Sequence, residues 1–449
     1  MHEPSTAAVR RRSLRLSRAA ADNCAIALGD DEHACASTDF ASARSFSTAG
    51  PWQILAISLL ATSCSFLLIN GVAFLIPALE AQRGISLAEA GLLSAMPSWG
   101  MVVTLVMWGY VVDRYGERLV LTTGSALTAV AAYGAASAHS MTLIGINLFL
   151  GGMAAASCNT AGGRLVSGWF PPEQRGLAMG IRQTAQPLGI ILGALLIPPL
   201  AQHGIRWGIL LMAVLCATAA VASHLVITDP PRAPRETGTG AAETNPYRGS
   251  SALWRIHAVS GLLMLPQTVT VSFMLVWLIH HQHWSVAAAG GLVTITQLLG
   301  AVGRIAVGRW SDRIGSRMRP VRAIAVVAAV VLGLLALSDQ TGTRFDVPLM
   351  LAIAVIGMLD NGLEATAITE FAGPLWSGRA LGIQNTAQRV VAAVGIPLFG
   401  ALISAAAYPP AWILCGLSAL AAAPLVPDLA REPGPERECG TTTLNISSL

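Results

Sequence analysis

From Pro51 onward the chain alternates long apolar runs with short polar breaks, and the runs lack the two-residue alternation of a half-buried strand. Each run approaches the roughly 20 residues that a helix needs to cross a bilayer. A backbone in lipid must satisfy its own hydrogen bonds, so only helices or closed barrels can span it. Continuous apolar runs select helices. The first six spans are expected near 52–79, 88–112, 119–139, 141–168, 177–201 and 207–227. The second six are expected near 253–280, 288–311, 320–338, 348–371, 380–405 and 410–428. Between them, 228–252 is rich in Pro, Gly, Thr and charge, which predicts a linker. The resulting fold class is an all-α membrane protein with twelve transmembrane helices in two six-helix bundles, over 51–227 and 253–428. Disordered tails are expected over 1–50 and 429–449.

Composition sharpens this picture. Hydrophobic residues make up 53% of the 449 and charged residues 12%, where an average soluble domain has about a quarter charged. Mean hydropathy is +0.59, so most of the surface avoids water. The basic residues are 28 arginines with no lysine, a mark of GC-rich codon usage, and the net charge of +4 carries no sign of a nucleic-acid partner. The seven cysteines (Cys24, Cys35, Cys64, Cys158, Cys216, Cys415, Cys439) form no CxxC or Cys/His spacing. Neither a disulfide framework nor a metal site is expected, and no cofactor.

Arginine bias sets orientation. With both tails cytoplasmic, the inside loops hold twelve arginines, from Arg114 and Arg118 to Arg317, Arg319, Arg322 and Arg379. The outside loops hold three, Arg83, Arg206 and Arg344. The run Arg11-Arg12-Ser13-Leu14-Arg15-Leu16 loosely matches a twin-arginine signal. The apolar stretch of about 7–15 residues that such a signal requires does not follow, which leaves a cytoplasmic tail or a misassigned start codon.

The two halves echo each other. Gly109-Tyr110-Val111-Val112-Asp113-Arg114-Tyr115-Gly116-Glu117-Arg118 closes the second span, and Gly308-Arg309-Trp310-Ser311-Asp312-Arg313-Ile314-Gly315-Ser316-Arg317 closes the eighth, 199 residues on. Gly180-Ile181-Arg182-Gln183-Thr184-Ala185-Gln186 recurs as Gly382-Ile383-Gln384-Asn385-Thr386-Ala387-Gln388, 202 residues on. Nearly equal offsets imply a duplicated unit in the same topology, so the bundles are pseudo-symmetric about an axis along the membrane normal. The GxxxDRxGxR element resembles the signature loop of the major facilitator superfamily, and the resemblance covers roughly 51–428. It implies a monomeric transporter that moves a small molecule by alternating access between its halves, in the inner or plasma membrane. Gly116 and Gly315 suit the tight turns. Asp113 and Asp312 can face the positive N-terminus of a helix in the opposite half, beginning near Arg379 and Gly176. With Arg114, Arg118, Arg313 and Arg317 they would form a gating cluster. Glu117 and Ser316 depart from the family, which often has a further base there, and so predict a weaker clamp.

Ionisable residues inside spans are costly and usually face a cavity or a partner. Arg164, Arg182 and Glu370 lie close enough to a helix end for snorkelling or loop pairing to explain them. Asp360 and Glu364 share a face of the tenth span one turn apart, and Arg304 and Arg389 lie deeper in the eighth and eleventh. Two readings stay open. Either the arginines meet a substrate anion while Asp360 or Glu364 exchanges a proton, or these charges pair structurally. Gly303-Arg304 ahead of the eighth-span motif resembles organic-anion and monocarboxylate carriers, which implies that Arg304 meets a carboxylate. Gln297, Asn361, Gln384 and Gln388 offer hydrogen bonds in the second half, and Asn70, Gln183 and Gln186 in the first, either as ligands or as interhelical glue. Pro187 and Pro397 are expected to bend their helices.

The fifth span matches only part of the Gly-Pro-x-x-Gly-Gly of drug–proton antiporters: it has Pro187, Gly189 and Gly193. His280, His281 and His283 have no carboxylate or cysteine near them in sequence and read as an exposed loop. The chain shows no nucleophile–base pair, phosphate loop or metal spacing, so an enzyme is not expected. Proton-coupled uptake of a small organic anion or metabolite leads, ahead of a proton-driven multisubstrate exporter and a non-transporting sensor. Membrane lipid is the remaining expected partner.

Overall fold

The computed structural model describes residues 49–230 and 245–427. The expectations for the tails, the Arg11–Arg12 run and the centre of the linker lie outside the described residues. Among the described residues, twelve helices are long and apolar enough to cross a membrane. The first six are Pro51–Arg83, Glu89–Tyr115, Glu117–Ser137, Met141–Trp169, Pro172–Ala201 and Ile205–Val226. The second six are Ala252–His280, Val286–Ile314, Met318–Thr341, Asp346–Ala372, Ser377–Ala406 and Tyr408–Leu425. No strand occurs among the described residues.

Local chemistry fixes the helix ends. Ser86 caps the second span by accepting from Glu89 N at 3.3 Å, and Ser285 caps the eighth by accepting from Ala288 N at 3.3 Å. These serines are again 199 residues apart. Gly116 and Gly315 close the signature loops with φ of 102° and 61°, a region that side-chain-bearing residues rarely enter. Three spans are interrupted: the first passes through a 3-10 stretch at Val72–Leu75, and two others break midway. The fifth divides into Pro172–Arg182 and Ala185–Ala201, and the tenth into Asp346–Ile356 and Asn361–Ala372. Pro187 lacks the N–H that would bond the Gln183 carbonyl, which accounts for the first break. The eleventh span runs on through Pro397 without one.

There are two cores, one within the first half and one centred on the second that also takes in Leu55, Val166, Phe170, Ala178 and Met179 of the first. In the first, Leu67, Leu68, Met101, Leu148, Ile197 and Met212 are buried together. In the second, Trp277, Leu332, Trp412 and Cys415 are. Many leucines and valines such as Leu195, Leu225, Val130 and Val302 are exposed, as expected where the surrounding medium is lipid. Cys64, Cys158, Cys216 and Cys415 are free and buried.

The halves meet at the end that carries the signature loops. A Cβ added to Gly109 would lie 2.3 Å from the Gly378 carbonyl oxygen, and one on Gly308 would lie 2.1 Å from that of Gly176. One turn further in, Gly382 meets Leu105 O and Gly180 meets Arg304 O, with the added Cβ at 2.8 and 2.6 Å. Helices this close tolerate no side chain. At the other end, an added Cβ on Gly91, Gly290 or Gly291 meets nothing within 4 Å. The fifth span packs closely on the eighth over Pro172–Arg182 but scarcely touches it over Ala185–Ala201, so the molecule is closed at the signature loops and parts above them.

Candidate substrate cavity

Two carboxylates hold the closed end. Asp113 accepts from the backbone N–H of Gly378 at 2.8 Å and of Arg379 at 3.0 Å, at the start of the eleventh span. Asp312 does the same for Gly176 and Leu177 in the fifth, at 2.9 and 2.8 Å. Each therefore sits on the positive end of a helix dipole in the opposite half. Arg379 Nε also reaches Asp113 at 3.2 Å, and Arg317 reaches Asp312 at 2.5 Å. Arg118 ties the loop to Asp229 and to the His224 carbonyl, while Arg114 and Arg313 are exposed at the rim. Arg164 and Glu370 do not snorkel. Arg164 is buried against Glu117 and Asp113, at 3.1 and 3.5 Å, and Glu370 pairs with Arg317 at 3.0 Å and Arg175 at 3.6 Å. The departure at Glu117 is thus met by a base on the neighbouring helix.

Above this joint lies a cavity of about 350 Å³ between the halves. Of the residues singled out in the sequence, Arg304, Arg389, Gln297, Asn361 and Gln388 line it, with Asn70, Gln183 and Gln186 from the first half. Gln384 does not. It is buried and donates to Ser260 Oγ at 3.1 Å and Glu364 Oε2 at 3.3 Å. Asp360 and Glu364 are also buried beside the cavity rather than in its wall. A chain of side chains links Glu364 to the lumen. Ser260 Oγ accepts from both Gln384 and Gln388, Gln388 donates to Asn361 at 3.1 Å, and Asn361 donates to Gln267 at 3.0 Å.

Arg304 has a structural task as well. Its Nε donates to Met358 O at 2.9 Å and its Nη1 to Gln183 O at 3.1 Å. Both carbonyls lie at helix breaks, one in each half, so the arginine satisfies backbone groups that the breaks set free. Arg389 is within 5.9 Å of the Phe66 ring centroid.

Arg182 was not expected in the cavity. It is 3% exposed, and its guanidinium donates to Asn159 O at 3.4 Å and Gln183 Oε1 at 3.3 Å. Its place in the Gly180–Gln186 echo, opposite Gln384, was the signal available. Asn159 and Asn385 were also missed; they bond across the floor at 2.9 Å. Among the described residues, no carboxylate lies within 4 Å of Arg182, Arg304 or Arg389, and none lines the cavity. The histidine cluster does gain a carboxylate through the fold: Asp339, remote in sequence, lies 3.5 Å from His281.

Comparison with known proteins adds a lineage. The Major Facilitator Superfamily profile matches residues 58–396. An uncharacterized MFS-type transporter of Mycobacterium tuberculosis is 67% identical over 385 residues, 86% of each chain. A probable galactarate/D-glucarate transporter of Bacillus subtilis is 22% identical over 83% of this chain and 90% of its own. The crystal structure of the Escherichia coli fucose:proton symporter superposes with a TM-score of 0.65 at 16% identity, covering 83% of this chain and 98% of that one.

Proposed function

Because the chain belongs to the major facilitator superfamily of membrane transporters, we propose that it takes up a small organic anion together with protons, by alternating access. One observation carries the anion reading: three arginines stand in the cavity wall with no carboxylate within 4 Å of them or in the lining, and one buried acid, Asp360, acts on Arg304 from farther off. A buried cation short of counter-charge is costly; Arg182 and Arg389 have no acid near them, and an anionic substrate would relieve that cost. The lining has one aromatic side chain, Phe66, among many amides, which disfavours the exporter reading, since apolar cargo selects apolar and aromatic walls. The galactarate/D-glucarate relative supports anion traffic at a distance.

Proton coupling rests on Glu364, a buried carboxyl joined to the lumen through Ser260, Gln384 and Gln388, with Asp360 at the helix break beside it. The arginine bias supports both termini on the cytoplasmic side of the cell membrane, which makes the closed end cytoplasmic and this state outward-open.

A panel of organic anions, neutral sugars and cationic drugs tested for thermal stabilisation of the purified protein checks the substrate reading, since a ligand of the native state raises its melting. Anions should raise it. Stabilisation by cationic drugs alone would sink the anion reading. In proteoliposomes, Glu364→Gln should abolish uptake driven by a pH gradient and spare substrate exchange. Retained gradient-driven uptake would remove Glu364 from the proton path.

A further inference from the structure

The three arginines are not equivalent in height. Arg182 and Arg304 come from opposite halves and are both anchored on Gln183, one on its side chain and one on its carbonyl. Arg182 also holds the Asn159 carbonyl, and the Asn159 amide reaches Asn385. These groups form the floor, where the halves touch. Arg389 lies four residues beyond Asn385 on the unbroken eleventh span, which runs from the closed end toward the mouth. Four residues of helix rise about 6 Å. Arg389 has no hydrogen-bond partner among the described residues, and its guanidinium lies over the Phe66 ring of the opposite half. The cavity therefore has two positive poles, a double one at the floor and a single one a turn above it.

Between and around the poles the walls carry amides: Asn70, Gln186, Gln267, Gln297, Asn361 and Gln388. Each offers both a donor and an acceptor, the complement of an alcohol hydroxyl, which also does both. Two acidic groups about 6 Å apart are the ends of a chain of about six carbons, since five C–C bonds of ~1.5 Å advance ~1.25 Å each along an extended zigzag. Resting on the anion reading above, we propose that the substrate is a polyhydroxylated dicarboxylate of about six carbons, with one carboxylate on Arg182 and Arg304 and the other on Arg389. Its floor carboxylate would bridge the two halves, so binding would relieve the repulsion between two guanidiniums that must stay together while that end is closed.

Galactarate, galactonate and galactitol test this directly, because they share one open six-carbon polyol and carry two, one and no carboxylates. Binding of each to the detergent-purified full chain is measured by calorimetry for wild type, Arg389→Gln and Arg389→Lys. Galactarate should bind at least tenfold tighter than galactonate. Arg389→Gln should bring galactarate down to the galactonate level and leave galactonate within twofold, and Arg389→Lys should fall between. Matched melting of the unliganded variants shows that the fold is intact. Equal affinity of the two acids for wild type, or equal weakening of both by Arg389→Gln, overturns the two-pole proposal and leaves the anion reading standing. Galactitol binding as tightly as the acids overturns both, and binding by none of the three overturns the two-pole proposal alone. A hexose phosphate, with its charge on one end, binding as tightly as galactarate would show that charge number and not charge separation governs, and would also overturn the proposal.

Discussion

The joint between the halves is built twice, and its two copies differ at one position that matters most. In one copy the second span crosses the eleventh, with Gly109 on Gly378 and Leu105 on Gly382. In the other the eighth crosses the fifth, with Gly308 on Gly176 and Arg304 on Gly180. Each copy ends in an aspartate on a helix N-terminus. The glycines and aspartates that make the crossing recur in both copies at matching places. Leu105 and Arg304, 199 residues apart, have diverged. The Leu105 copy only closes, while the Arg304 copy closes and also presents a guanidinium to the cavity. Symmetry therefore marks the joint that closes this end, and the broken symmetry falls on the side chain that faces the cavity.

The largest effects should come from breaking the shared part. Gly109→Val and Gly308→Val each place a side chain where the opposing backbone already stands at 2.3 and 2.1 Å. Neither core need change, so the protein should fold, but the closed end cannot form. Overpacking of this kind costs roughly 3 kcal/mol or more where neither side can yield. Both variants should lose transport by at least about a hundredfold, and cysteines placed in the signature loops should become more reactive. The copies should respond alike. Full activity in either variant would mean that this crossing is not the transport gate.

Next comes the part that differs. Arg304→Leu makes the second copy resemble the first. Hydrogen bonds to a charged group contribute about 1.5–3 kcal/mol, so anion affinity should fall about ten- to a hundredfold. Melting should fall too, because Gln183 O and Met358 O lose their donor, at about 1–3 kcal/mol for each buried group left unmade. Arg304→Lys keeps the charge without the planar fork and should fall between in both readouts. A melting loss with unchanged anion affinity would leave Arg304 as a backbone prop alone.

The same contrast explains what the sequence could and could not reveal. Spans were legible because twelve apolar runs have no other solution in lipid, and the joint between the halves was legible because duplication prints itself as two echoes at nearly one offset. Arg304 and Arg389 stood out as charges deep in apolar runs. Arg182 did not: counted from the end of its span it lies near the surface, and only the break at Gln183–Thr184 and the convergence of four helices put it in the cavity. Gln384 failed in the opposite sense. It occupies the echo position of Arg182, yet on an unbroken helix it turns to Glu364 and Ser260. A repeat transfers backbone geometry between halves and does not transfer side-chain roles.

Removing the charge on each latch should have a smaller effect and separate the copies modestly. Asp113→Asn and Asp312→Asn keep the shape but weaken the interaction with a helix N-terminus, by about 0.3–2 kcal/mol. Asp113 also steadies Arg379 and lies 3.5 Å from Arg164, whereas Arg317 keeps Glu370 at 3.0 Å when Asp312 is lost. Transport should therefore fall about tenfold in Asp113→Asn and severalfold in Asp312→Asn, read as initial uptake rates. The reverse order would mean that the bases around Asp113 compensate better than those around Asp312.

The smallest expected effect concerns a pair whose polarity is reversed between the copies. In the first half the acid, Glu117, starts the third span and the base, Arg164, lies on the fourth. In the second half the base, Arg317, precedes the ninth and the acid, Glu370, lies on the tenth. Both pairs bind the same two helices together, so the arrangement needs opposite charges at these two places and is indifferent to which helix carries which. Burial differs sharply: the Glu117 side chain is 0% exposed and that of Glu370 is 26% exposed. Breaking a buried pair leaves a charge in a poor solvent, while a half-exposed one is worth at most about 1 kcal/mol. Glu370→Gln should thus lower melting slightly and slow transport less than about fivefold, and Glu117→Gln should cost more in both. The exchanged double variant Glu117→Arg with Arg164→Glu should recover part of the melting lost in either single variant. Recovery fails if the reversed base cannot coexist with Arg379 near Asp113, which would make the polarity of this copy a requirement of its latch.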